Sequence, residues 1–134
     1  AERQAILVGS LTNQGTATTA VLGTVVGLGA FKEMDVLVDV TGTVGSTSTM
    51  DIYVDSRLDG TTWINVAHGA THTTASVQVI HLTKNNPPTA MLVTALAGVG
   101  TVRPIGWADD IQVRYTIGGA TSQFSFRVWT NVLG

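Results

Sequence analysis

The chain reads as an all-β protein built as an antiparallel β-sandwich, on three observations. Apolar residues alternate with polar ones at period two along most of its length. Turn-forming residues interrupt that pattern about every ten residues, the rhythm of short strands in a sandwich or barrel. The composition is 44% hydrophobic and only 12% charged, about half the usual charged share, with Val, Thr, Ala and Gly making up the difference.

Taken in order, residues 1–19 read as an extended N-terminal arm, with flexible Gly/Thr stretches from 9 to 19. Residues 16–30 fit a strand or a short helix. Gly23, Gly27 and Gly29 weigh against a helix, where each costs about 1 kcal/mol relative to Ala, and point to a strand over 20–26. Met34, Val36, Val38 and Val40 alternate with Asp35, Leu37, Asp39 and Thr41, a strand with one buried face. A Gly/Ser/Thr loop follows over 41–49. Met50, Ile52 and Val54 then alternate with Asp51, Tyr53 and Asp55. Leu58-Asp59-Gly60-Thr61 carries the signal for a tight hairpin, so the strand ending at Arg57 should pair antiparallel with one that starts at Thr62 and runs through Trp63, Ile64 and Val66.

Val77, Val79 and His81 alternate with Gln78, Ile80 and Leu82. Asn85-Asn86-Pro87-Pro88 is a break, since proline cannot donate to a ladder. Residues 89–98 again fit either element, with a strand over 90–96 preferred. Ile111, Val113, Tyr115 and Ile117 form one stripe; Phe124, Phe126 and Val128 form another against Ser125, Arg127 and Trp129, with Gly118-Gly119 as the hairpin between them. About eight to nine strands in two sheets is a jelly-roll-like count. Strand order does not follow from periodicity.

At 134 residues the chain matches a single β-sandwich domain over 1–134, long enough to fold without a covalent staple. It contains no cysteine, so apolar burial and backbone pairing must supply its stability. The net charge of −2 and seven scattered basic residues give no footprint for nucleic acid. No apolar run reaches the ~18 residues of a membrane span. The start Ala-Glu-Arg-Gln lacks the plan of a secretory signal; removal of an initiator Met and trimming of a signal peptide both fit it. So few long charged side chains leave surfaces that a neighbouring subunit covers readily.

Chemistry is sparse. His68 and His72 lie four apart in a Gly/Ala/Thr loop rather than on a helix, with no third ligand in sight, and His81 belongs to a strand. Asp35, Asp39, Asp51 and Asp55 alternate on two candidate neighbouring strands, where they read either as a solvent face or as oxygen ligands for calcium. Asp109 and Asp110 are adjacent and so point to opposite faces. There is no nucleophile elbow and no phosphate loop. The chain is therefore expected to have no catalytic residues, no metal and no cofactor. The aromatics Tyr53, Trp63, Trp107 and Trp129 are the candidate interface or ligand-facing residues, because planar rings with a polar tip suit interfaces and stack on sugars. Trp129 has the opposite parity to Phe124, Phe126 and Val128, which puts one of those two faces outward or at an interface.

The stretch from Met50 to Val66, Met-Asp-Ile-Tyr-Val-Asp-Ser-Arg-Leu-Asp-Gly-Thr-Thr-Trp-Ile-Asn-Val, resembles a hairpin common in tailed-bacteriophage virion proteins. Ile111-Gln112-Val113-Arg114-Tyr115 with Phe124-Ser125-Phe126-Arg127-Val128 is similar to their closing strands. The resemblance implies a small jelly-roll capsid decoration (cement) protein, a homotrimer bound to the major capsid protein or another virion protein at the capsid surface. In such proteins termini and loops carry the contacts, which here means residues 1–19 and 41–49. The alternative is a carbohydrate-binding module or a receptor-binding fibre or tail component, secreted or extracellular, with two Trp residues sharing one exposed face.

Overall fold

The computed structural model describes residues 3–84, 90–93 and 95–134. Among the described residues there is no helix, and nine strands run in order: β1 (Arg3–Gln14), β2 (Ala17–Val25), β3 (Glu33–Val44), β4 (Thr49–Ser56), β5 (Ile64–His68), β6 (Ser76–Thr83), β7 (Thr101–Val102), β8 (Ile111–Gly118) and β9 (Gln123–Leu133). They form two antiparallel sheets, one in the order β1-β9-β3-β6 and the other β2-β8-β4-β5-β7. Leaving aside the two-residue β7, the chain makes two four-stranded layers with crossing connections, the plan of a jelly roll. The expected antiparallel sandwich is what the sequence forms.

The alternation explains why the layers close. Met34, Val36, Val38 and Val40 of β3, with Phe124, Phe126, Val128 and Val132 of β9, turn inward from the first sheet. Met50, Ile52 and Val54 of β4, with Ile111, Val113, Tyr115 and Ile117 of β8, meet them from the second. Tyr115 and Phe126 contact edge to face across the sandwich, ring centres 5.5 Å apart, the arrangement that their quadrupoles favour.

Several connections differ from the sequence expectation. Residues 3–14 of the supposed arm are β1, paired along β9 from Arg3 opposite Leu133 to Gln14 opposite Phe124. Its pattern is obscured because two register shifts, between Leu7 and Gly9 and between Leu11 and Gln14, interrupt the alternation. Gly118-Gly119 is not a hairpin, because β8 and β9 belong to different sheets. The turn instead carries the chain across the sandwich beside the 45–48 turn. Gly119 has φ 105°, and a Cβ there would stand 2.5 Å from the Thr47 carbonyl oxygen.

The Asp-Gly connection does join an antiparallel pair, with Ser56 opposite Ile64, but as a longer loop. Asp59 organises it by accepting the N–H groups of Thr62 (2.6 Å) and Thr61 (2.8 Å) and the Thr62 hydroxyl (2.9 Å). Those bonds hold its carboxyl down at about 2. Residues 90–93, 95 and 96 form no strand. Farther along, the Ala97 N–H is taken by Asn65 Oδ1 at 2.9 Å and the Ala97 carbonyl by His68 Nδ1 at 2.9 Å. Side chains thus do the work of a ladder. The break at Asn85-Asn86-Pro87-Pro88 lies outside the described residues.

Candidate interaction face

The two outer faces of the sandwich have different fates. On the β2-β8-β4-β5-β7 sheet, the residues of the central strands β4 and β8 opposite in parity to the core stripes carry polar groups, and the middle of that face is closed. Asp55 is buried and accepts bonds from Arg114 Nε and Nη2, from Gln112 Nε2 at 3.0 Å and from Asn65 Nδ2 at 3.0 Å. Tyr53 lies between the His68 ring, 4.5 Å away, and the Arg114 guanidinium at 5.5 Å. Residues 95–103 are tied down over β5: Arg103 donates to the carbonyls of Asn65 and Ala95, both at 2.9 Å, and the Gly100 N–H reaches the His68 carbonyl at 2.8 Å.

The outer face of the β1-β9-β3-β6 sheet is open and carries an apolar band. Register places Leu7 opposite Trp129, Trp129 opposite Leu37 and Leu37 opposite Val79, one rung across all four strands. Leu7 is 47% exposed and Val79 59%, so the rung is not sealed. A hollow of about 380 Å³ beside it is lined by Ala5, Asp35, Leu37, Val79, Trp129 and Asn131. On one flank Arg127 binds Asp39 (Nη2 to Oδ2, 3.1 Å); on the other His81 Nδ1 meets Asp35 Oδ1 at 2.6 Å. A continuous apolar strip rimmed by charge is the make-up of a contact surface.

The four aromatic candidates are not brought together. Tyr53 and Trp107 are buried, and the Trp107 indole N–H donates to the Leu28 carbonyl at 2.9 Å. Trp63 is half-buried beside β5, with the Arg57 guanidinium 4.6 Å from its ring centre. Trp129 is half-buried on the opposite sheet; of the two faces that parity separated, its face is the outward one and that of Phe124, Phe126 and Val128 is core. No two Trp residues share an exposed face, so the sugar platform with two stacked rings is not formed. The carboxylates divide the same way. Asp35 and Asp39 are on β3 and Asp51 and Asp55 on β4, in different sheets, so the four do not line one face for calcium. The described residues contain no group of three or more His, Cys, Asp or Glu side chains placed to hold a metal. Asp110 binds Arg57 at 2.6 Å, while Asp109 accepts the Gly27 N–H at 3.4 Å.

The histidines are engaged structurally. His68 lies in β5 rather than in a loop, with both ring nitrogens in contact: the Ala97 carbonyl and Asp51 Oδ2, the latter at 2.8 Å. His72 is buried, with Ser76 Oγ 2.7 Å from Nδ1 and Gln78 Nε2 2.7 Å from Nε2. The Gln78 amide is fixed by paired bonds to the Ala70 N–H and carbonyl, so its NH2 faces the ring and Nε2 must accept. Ser76 donates to the Thr74 carbonyl at 3.0 Å, which leaves His72 as donor to Ser76. That is the reverse of a base activating a nucleophile.

The open band was hidden in the sequence because its four members come from distant strands. The one hint in the sequence was that Trp129 and the Phe124, Phe126 and Val128 stripe occupy opposite faces of one strand.

No family model matches the sequence, and no curated protein matches it. Among solved structures, a chain of infectious bursal disease virus strain Gt is similar, with a TM-score of 0.56 at 11% identity over 98% of this chain. A chain of strain Gx gives 0.49 at 10% identity over the same share. This chain spans 32% of the length of each. The likeness to strain Gt is one of fold, and it places the sandwich among architectures used in a virus structure.

Proposed function

We propose that the chain is a non-enzymatic structural protein of a virion and, more narrowly, a decoration (cement) protein of a tailed-phage head shell. The observation that carries this reading is the jelly-roll order of the two sheets. Such a domain works by covering surface. The fold likeness to a virus structure, the low charge content and the Asp-Gly hairpin resembling phage virion proteins support the same role. Shell contacts made by termini and loops are individually modest, and their repetition over many copies suffices. The test is to add purified protein to shells that lack it. Stoichiometric co-sedimentation and a raised shell melting temperature are the expected results; free protein in the supernatant at saturating shell would refute the role.

A further inference from the structure

We propose that the open face of the β1-β9-β3-β6 sheet is a self-association surface through which two copies pair about a two-fold axis. The proposal goes beyond the virion role and does not rest on it. It sets a two-fold pair against the three-fold assembly that the phage resemblance implies. An isologous contact requires a patch complementary to itself under a half-turn, and the register of this sheet supplies one.

The two middle strands are β9 and β3, flanked by β1 and β6. An axis parallel to the strands and between β9 and β3 sets β9 of one copy over β3 of the second, and β1 over β6, each rung at its own level. On the apolar rung, Trp129 then comes to lie over Leu37 of the second copy, in the hollow of about 380 Å³, and Leu7 over Val79 of the second copy. On the next rung, where Arg127 is opposite Asp39, each Arg127 faces Asp39 of the second copy. Two guanidiniums and two carboxylates close a ring of alternating sign. On the other flank Asn131 faces Asp35 of the second copy.

The other half-turn, about an axis along the rungs, would set Asp35 over Asp39 of the second copy, carboxylate on carboxylate. Like charges brought together at an interface oppose that arrangement. Charge therefore selects the first axis. Aligned sheets pack about 10 Å apart and about 30° off parallel, a spacing at which rungs next to the axis remain in contact.

Light scattering on the full chain tests this. The expected mass is 28.0 kDa, twice the 14.0 kDa chain. Arg127→Asp, at an exposed position, places like charges across the pair and should lower the mass to 14.0 kDa. The swap Arg127→Asp with Asp39→Arg rebuilds the ring with its signs exchanged and should restore 28.0 kDa, twice the chain mass. Leu7→Lys, on an edge strand, is an independent second variant and should also give the monomer; circular-dichroism melting verifies that each variant folds. A wild-type mass of 14.0 or of 42.0 kDa, one or three chains, would overturn the proposal. So would a dimer indifferent to Arg127→Asp and Leu7→Lys, or a charge swap that fails to recover it.

Discussion

Replacing Asp55 with Ala should remove the keystone of the closed outer face. The Asp55 side chain is 2% exposed and takes bonds from three residues, Arg114, Gln112 and Asn65. Truncation leaves the Gln112 donor orphaned in a buried site, at about 1–3 kcal/mol for such a group. Asn65 retains the Ala67 carbonyl at 3.1 Å and loses less. The Arg114 side chain is 22% exposed and can turn toward water, which discounts its share. The sum falls near the low end of the 3–5 kcal/mol typical of breaking a buried pair, about 3 kcal/mol. Against a total of about 5–15 kcal/mol, that is a large fraction. Urea unfolding followed by Trp fluorescence reads it as a lower midpoint at unchanged slope. The double variant Asp55→Leu with Arg114→Met should recover part of the loss, because no charge is then left without its partner. A loss below about 1 kcal/mol for Asp55→Ala would refute this account of the network.

Three further outcomes follow from other residues. Thr130 is fully buried, and its hydroxyl has no hydrogen-bond partner among the described residues, so Thr130→Val should raise stability by about 1 kcal/mol in the same assay. Trp63→Ala should cost about 1–2 kcal/mol, less than the 3–5 of a fully buried aromatic, because the ring is half-exposed under Arg57. Burial pushes the His72 imidazole below its usual 6.5, with the Asp51 charge acting in the opposite direction. The unfolded chain then binds the proton more readily, so stability is complete above about pH 6.5 and falls as the pH drops below it. His72→Gln should flatten that slope in urea midpoints measured against pH; an unchanged slope would contradict the assignment.

Much of the fold was legible because one-sided burial imposes period two. β3, β4, β8 and β9 each carry four or more alternating residues, and their inward faces are the apolar ones. Which strand lies beside which was not legible, since parity fixes a face but not a neighbour. Asp35 and Asp51 looked like members of adjacent strands and belong to different sheets. β1 was missed for a related reason: Ile6 and Val8 pack toward the core on even positions and Leu11 on an odd one, because a register shift falls between them. Deleting residues 1–8 would therefore remove Ile6 and Val8 from that packing and half of β1.

Of the aromatic candidates, Trp129 alone had a parity signal, which separated its face from that of Phe124, Phe126 and Val128 without saying which of the two is outward. Trp107 gave no such signal, because burial of an indole depends on a distant acceptor, the Leu28 carbonyl. The apolar band itself is legible only after register is known, since Leu7, Leu37, Val79 and Trp129 have no common spacing.

The most direct test of the structural role is the copy number of this chain in purified particles from the source of the sequence, by quantitative peptide mass spectrometry. The account predicts the chain at a fixed ratio to the main shell protein, retained through washing; its absence from washed particles, or a trace amount at no fixed ratio, would contradict the account.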